Sequence, residues 1–334
     1  MRAVTAIFEP AAWLRGPHLQ TVWGRVGRSR RLIDYRREVL TTPDGDELIV
    51  DHADAERTDI RVVFLHGLEG SSYSTYIQGM VALFGRHGIP ATVMNYRSCA
   101  RDPRNVRRMI PNRRPRLYHS GETSDFDFLV RTLRAREPER RLAAVGVSMG
   151  GNVLLKWMGE NPDQKSVVTG VAISTPFDLG AGARHLELGL GAFYTASFLR
   201  SLKSKARSAV ERFALARERI DLPRALRART FFAFDDAATG PYHEFTGAPD
   251  YYARSSSLGF VGKIATPVLC ISAEDDPFLP RRVLDAVREA KSDSVELVTT
   301  ACGGHTGFVS GRPWACRYWA EERAVGWVVE NAPK

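Results

Sequence analysis

Ser148 stands between two glycines in Gly146-Val147-Ser148-Met149-Gly150, where an apolar run over 142–147 meets a second one over 153–158. A serine on a sharp strand-to-helix turn has its hydroxyl open to a base, and the first amides of the helix point at an incoming oxygen. Glycines permit so sharp a turn. The chemistry is nucleophilic attack on a carbonyl carbon. The motif by itself arises by chance in roughly one chain in ten of this length, so the remainder must supply a base, an acid and a second oxyanion donor.

Of eight histidines, His305 alone lies in a short glycine-bracketed loop, Cys302-Gly303-Gly304-His305-Thr306-Gly307, after what reads as the last strand. Small neighbours let its imidazole reach Ser148. The acid must follow a strand end and precede His305. Asp275 and Asp276, after VLCIS, meet that condition, and Asp178 is a third candidate. Leu65-His66-Gly67-Leu68 follows an apolar strand directly, and its turn leaves the Leu68 amide to donate to an oxyanion together with the amide of Met149. No spacing of metal ligands is visible, and this chemistry needs neither metal nor cofactor.

These residues must be carried by a sheet. IRVVFL over 60–65 is a continuous apolar strand, and apolar strands alternate with helices through 91–94, 125–136, 142–147, 153–158, 167–173, 267–271, 281–290 and 295–298. That alternation is the pattern of a parallel sheet covered on both faces. Pro43-Asp44-Gly45 between 37–40 and 47–52 predicts an antiparallel hairpin. About ninety residues separate Ser174 from Thr266, too many for a loop in a compact domain. They are expected to form a helical cap, with one amphipathic helix carrying Leu186, Leu188, Leu190, Phe193, Tyr194 and Phe198. A final helix is expected over 314–331. The chain order serine, acid, histidine is that of the α/β-hydrolases. The expected fold class is therefore α/β, an α/β-hydrolase fold with a mostly parallel sheet, an antiparallel N-terminal hairpin and an inserted helical cap. Its parts would be an N-terminal arm over 1–30, a core over 31–177 and 263–334, and the cap over 178–262.

Short motifs across nearly the whole chain add a resemblance. PHLQT (17–21), HGLEGSS (66–72), NYR (95–97), LYHSGET (117–123), SMGGN (148–152), FDD (234–236), EDDPF (274–278) and GGHTGF (303–308) are similar to the YheT-type esterases, bacterial relatives of eukaryotic acylglycerol and phospholipid lipases. The resemblance implies Ser148, Asp276 and His305 as the charge-relay set, with Asp275 the alternative acid. It implies hydrolysis of carboxylic esters of acyl or lipid-like substrates through an acyl-enzyme. Acyl transfer by the same triad and a ligand-binding receptor with little turnover are the alternatives, since fold does not fix function. The chain departs from the family where Ser98 precedes Cys99, and 101–110 reads as a basic insertion near the pocket mouth.

A formal net charge of +9 is concentrated in 25–37, 97–116 and 200–229. Such clusters either solvate a surface or attract an anionic one, so peripheral contact with anionic membrane is a partner class to consider beside the small-molecule ester. No nucleic-acid-binding motif accompanies the charge. No window holds the ~18 apolar residues of a membrane span, no signal peptide is apparent, and the four cysteines form no C-x-x-C pair. Reduced thiols in the cytoplasm are the expectation.

Overall fold

The computed structural model describes residues 7–28 and 33–332. Helix α1 (Pro17–Val26) leads to the hairpin of β1 (Arg36–Thr41) and β2 (Glu47–Ala53), then to β3 (Ile60–Leu65), α2 (Thr75–Arg86) and β4 (Ala91–Asn95). A small hairpin, β5 (Arg101–Asp102) and β6 (Asn105–Met109), is followed by α3 (Ser124–Arg136), β7 (Arg141–Val147), α4 (Met149–Glu160) and β8 (Val167–Ile173). Helices α5 (Leu179–His185), α6 (Gly191–Arg212), α7 (Ala214–Arg219), α8 (Leu222–Arg227) and α9 (Phe231–Phe234) come next. A π-helical turn at Asp235–Thr239 joins α9 to α10 (Gly240–Tyr242), and α11 (Ala248–Ser255) precedes β9 (Val268–Ala273). The chain ends with α12 (Arg282–Ala290), β10 (Val295–Thr300), the hairpin of β11 (Val309–Arg312) and β12 (Ala315–Tyr318), and α13 (Trp319–Asn331).

Eight strands form one sheet in the order β1-β2-β4-β3-β7-β8-β9-β10. β1 and β2 pair antiparallel, as do β2 and β4, and every other pair is parallel. This is the fold class that the alternation of strands and helices predicts. A continuous apolar run suits a strand covered on both faces, and β3 divides its side chains by parity. Val63 and Leu65 pack with Phe126 and Trp157 of α3 and α4. Ile60, Val62 and Phe64 pack on the opposite face with Phe84 and Val325 of α2 and α13. Each such side chain contributes about 1.5–3 kcal/mol by leaving water. The result is a rigid floor whose carboxyl strand ends carry the turns at 66–70, 148, 275–276 and 305.

Three local expectations change. The single helix expected over 186–198 is broken: α5 stops at His185, Gly189 takes φ 52°, and α6 starts at Gly191. Leu188, Leu190 and Phe193 are consequently exposed at the break, while Leu186 is buried. The last helix begins at Trp319, because 309–318 pairs with itself around Pro313 as a hairpin. Apolar periodicity could not separate these cases, since a short two-stranded ribbon and a helix turn draw on the same residues. The N-terminal segment, which shows no clean period, contains α1, started by Pro17 at a position where a missing N–H costs nothing. Of the arm expected over 1–30, residues 1–6, 29 and 30 lie outside the described residues, as do 31, 32, 333 and 334 of the expected core. The basic stretch over 101–110 is largely the β5–β6 hairpin, and Arg37 donates to the Arg101 carbonyl at 2.6 Å.

Candidate active site

Ser148 follows β7 and stands at the N-cap position of α4 with φ 55° and ψ −121°. A non-glycine residue there costs about 1–3 kcal/mol, which the surroundings must hold in place. They do so through the backbone. The Ser148 N–H donates to the Ile173 carbonyl at 2.8 Å, and its own carbonyl accepts from Gly151 at 2.9 Å. A side chain at Gly146 would run into the Gly150 carbonyl, and one at Gly150 into the Leu65 carbonyl. The two glycines are therefore required by close approach of neighbouring backbones.

The structure brings His305 and Asp276 to this serine. His305 Nε2 lies 2.9 Å from Ser148 Oγ, and its Nδ1 lies 2.9 Å from Asp276 Oδ2 and 3.1 Å from Oδ1. The carboxylate dictates that Nδ1 carries the proton, leaving Nε2 to accept from the serine hydroxyl. His305 and Asp276 are buried, whereas Ser148 is only partly so. Asp276 Oδ1 also accepts from the Phe278 N–H at 2.8 Å, and the Phe278 ring stacks on His305 with centroids 4.1 Å apart. Imidazole and carboxylate are thus oriented from two sides.

Asp275 points elsewhere. Its carboxylate accepts from the Gly304 N–H at 2.9 Å and so fixes the loop that carries His305. Burial and the adjacent Asp276 charge push the Asp275 carboxyl up from its ordinary value. Asp178 caps α5, accepting from the Ala181 N–H at 2.8 Å. Neither is on the imidazole.

Leu68 sits in the turn at 66–70, which packs on the serine: a Cβ at Gly67 would stand 3.2 Å from Ser148 Cβ. The amides flanking Leu68 are taken, Gly67 N–H by Tyr76 Oη at 2.8 Å and Glu69 N–H by Tyr118 Oη at 3.1 Å. Among the described residues no protein acceptor takes the N–H of Leu68 or that of Met149. Met149 also opens α4, whose N-terminal dipole favours negative charge. His66 braces the turn: the Tyr96 N–H donates to Nε2, so Nδ1 is the protonated nitrogen and donates to the Gly67 carbonyl at 2.8 Å. Burial holds the His66 imidazole down at about 4, hence neutral.

Several contributors carried no legible role in the sequence. Thr21 Oγ1 accepts from the His305 N–H at 2.8 Å, and Gln20 Oε1 accepts from the Val309 N–H at 2.8 Å, so α1 holds both ends of the histidine loop. The signal was the PHLQT motif over 17–21, which carries part of the resemblance without indicating what Gln20 and Thr21 hold. Tyr194 lies 5.0 Å and Phe198 6.1 Å, ring to ring, from Phe278. Of the six side chains expected on one amphipathic helix, these two pack against Phe278, the ring stacked on His305. Among the described residues no group of three or more His, Cys, Asp or Glu is disposed to hold a metal ion, and no helix is long and apolar enough to cross a membrane.

The model of a family described by its alpha/beta hydrolase fold matches residues 60–311. YheT of Escherichia coli (strain K12) is 33% identical over 329 residues, covering 97% of this chain and 93% of that one. Phospholipase ABHD3 of Mus musculus is 28% identical over 328 residues, covering 94% of this chain and 76% of its own. Among solved structures, the Pyrococcus furiosus esterase Pf2001 superimposes with a TM-score of 0.53 at 18% identity, over 82% of this chain and 85% of that one. The last similarity is one of fold.

Proposed function

The chain belongs to the α/β-hydrolase fold family and, within it, groups with the YheT-type esterases, and on that premise we propose that it is a serine hydrolase of carboxylic esters. Ser148 Oγ attacks the ester carbonyl while His305 Nε2 takes its proton. The imidazolium, held by Asp276, then protonates the departing alcohol, and water releases the acyl-enzyme by the same steps. The amides of Leu68 and Met149 receive the tetrahedral oxyanion. The observation that carries this reading is the continuous Asp276–His305–Ser148 hydrogen-bond chain on a strained serine.

The same reading extends to the ester. Tyr194, Phe198 and Phe278 offer aromatic surface beside the imidazole, which suits an apolar acyl group, and a curated relative is named a phospholipase. We read residues 178–262 as the cap that admits such a substrate. Exposed Leu188, Leu190 and Phe193, next in sequence to Tyr194, would rest on an anionic lipid surface. The four cysteines are free, in keeping with a cytoplasmic setting.

The test is turnover of a p-nitrophenyl ester chain-length series by the purified chain. Ser148→Ala is expected to lower kcat by on the order of 10⁶ and Asp276→Asn by about 10⁴, with the fold intact by circular dichroism. Asp275→Asn should cost about tenfold or less, because its carboxylate serves the loop backbone. Full activity in Ser148→Ala would overturn the assignment.

A further inference from the structure

Behind the turn at 66–70 lies a buried polar cluster that the proposed reaction does not use. Lys205 of α6 extends its Nζ to Glu69 Oε1 at 2.6 Å and to Cys99 Sγ at 3.2 Å, and stands 4.8 Å from the centroid of the Tyr118 ring. Tyr118 Oη donates to the same Glu69 Oε1 at 2.5 Å while accepting from the Glu69 N–H. Lys205 and Glu69 are both buried side chains. Burial disfavours ionisation of Glu69, but Lys205 together with the hydroxyls of Tyr118 and Ser201 outweighs it and holds the carboxyl below its ordinary range. Burial likewise opposes the Lys205 charge, and the Cys99 and Glu69 interactions overcome it. The pair is ionic.

Glu69 itself takes φ 58°, a left-handed conformation that a side chain seldom adopts without being held. The Leu68 N–H lies in the peptide plane it shares with the Gly67 carbonyl, which accepts from His66 Nδ1 and the Gly70 N–H. The next plane, Leu68 carbonyl with Glu69 N–H, is held by Tyr118, so Glu69 bears on the Leu68 N–H through the two backbone dihedrals of Leu68 that join these planes. With Gly67 N–H on Tyr76 and Glu69 N–H on Tyr118, the free amide is clamped on both sides. One of the two clamps is anchored in α6, an element far away in sequence that also carries Tyr194 and Phe198.

We propose that Lys205, through Glu69 and Tyr118, is a positioning residue that ties the seating of helix α6 to the alignment of the Leu68 oxyanion donor. The inference rests on the serine-hydrolase reading and adds to it a route by which the helices over the site govern transition-state stabilisation. Lys205 touches neither the nucleophile nor the base. Its effect therefore belongs in kcat and in affinity for a tetrahedral anion, with ground-state binding unaffected.

The experiment compares the parent with Lys205→Met, Tyr118→Phe and the double variant Lys205→Met/Glu69→Gln, measuring p-nitrophenyl butyrate kinetics, inhibition by an alkyl boronic acid, and melting. Deleting an oxyanion donor costs about 10²–10³ in kcat, and misaligning one is expected to cost Lys205→Met about 10- to 100-fold with KM unchanged. The boronic acid Ki should rise by the same factor. Tyr118→Phe should move both quantities in the same direction by less. Lys205→Met leaves a buried carboxylate unpaired and lowers the melting temperature; the double variant should recover the melting temperature but not kcat. If Lys205→Met does not fold, Tyr118→Phe, which removes one oxygen, decides by the same two readouts. The proposal falls if kcat and Ki stay within about twofold of the parent, an effect well short of a lost donor, or if kcat returns with the melting temperature in the double variant. Ser148→Ala in the same series separates the two levels: undiminished turnover there removes the serine-hydrolase reading, whereas its loss beside an unaffected Lys205→Met removes only the positioning role.

Discussion

The serine elbow at 146–150 and the turn at 66–70 face each other across the proposed reaction centre, yet they are held by opposite means. The elbow is fixed by backbone: strand β7 enters it, helix α4 leaves it, the Ile173 carbonyl takes the Ser148 N–H, and two glycines allow neighbouring chains to touch. The turn has internal bonds from His66 and the Gly70 N–H to the Gly67 carbonyl, but the amides flanking Leu68 are fixed by side chains reaching in from elsewhere, Tyr76 from α2 and Tyr118 from the segment before α3, with Lys205 of α6 on Glu69. The first arrangement admits almost no change inside the motif. The second can be loosened one hydrogen bond at a time from outside it, which makes it the adjustable half of the site.

The largest expected effect comes from breaking the elbow. In Gly150→Ala the new Cβ meets the backbone of both Leu65 and His66, and backbone cannot swing aside as a flexible side chain would. Destabilisation should reach or exceed about 3 kcal/mol, with turnover lost; urea unfolding and the ester assay together check it. A stable, active Gly150→Ala would mean that the elbow yields as readily as the turn.

A smaller effect separates the two regions by pH. The folded-state value of His66 is about 4, against 6.5 for the free imidazole. Below 6.5 the unfolded chain therefore binds a proton that the folded chain refuses. The His66 contribution is fully present above pH 6.5 and is lost as pH falls toward 4, amounting to about 3 kcal/mol over the window. His119, also held at about 4 by burial, adds to the same slope. Denaturant unfolding between pH 7 and 4.5 should show stability falling, and His66→Asn should flatten the slope by up to about one proton. The elbow brings no titratable side chain of its own, so Ser148→Ala should leave the slope unchanged.

The smallest effect loosens one clamp. Tyr76→Phe removes the acceptor of the Gly67 N–H and leaves that amide without its partner, at about 1–2 kcal/mol. Stability should drop by that amount and kcat by about tenfold, a partial loss of the proposed Leu68 oxyanion donor. An equal loss in KM would point to substrate binding in place of alignment.

What the sequence determined by itself was whatever depends on neighbours in the chain. Apolar alternation predicts the sheet and its class, Pro-Asp-Gly predicts the first hairpin, and the spacing of glycines around Ser148 and His305 marks two sharp turns, because the backbone conformations those turns need are dictated within a few residues. Tertiary structure alone decided the rest. The residues around Asp275 and Asp276 leave the pair open and the resemblance favours Asp276, but the reason appears only in the packed loop, which puts Asp276 on the imidazole and Asp275 on the Gly304 amide. Helix α1 acquires its purpose from a loop nearly three hundred residues further on, Thr21 and His305 being 284 positions apart. Lys205 reads in the sequence as one more cation in a basic helix, and becomes a buried partner of Glu69 at a separation of 136 positions. A charge is legible as surface or as interior only once the fold has removed its water, and that removal depends on contacts the local chain does not contain.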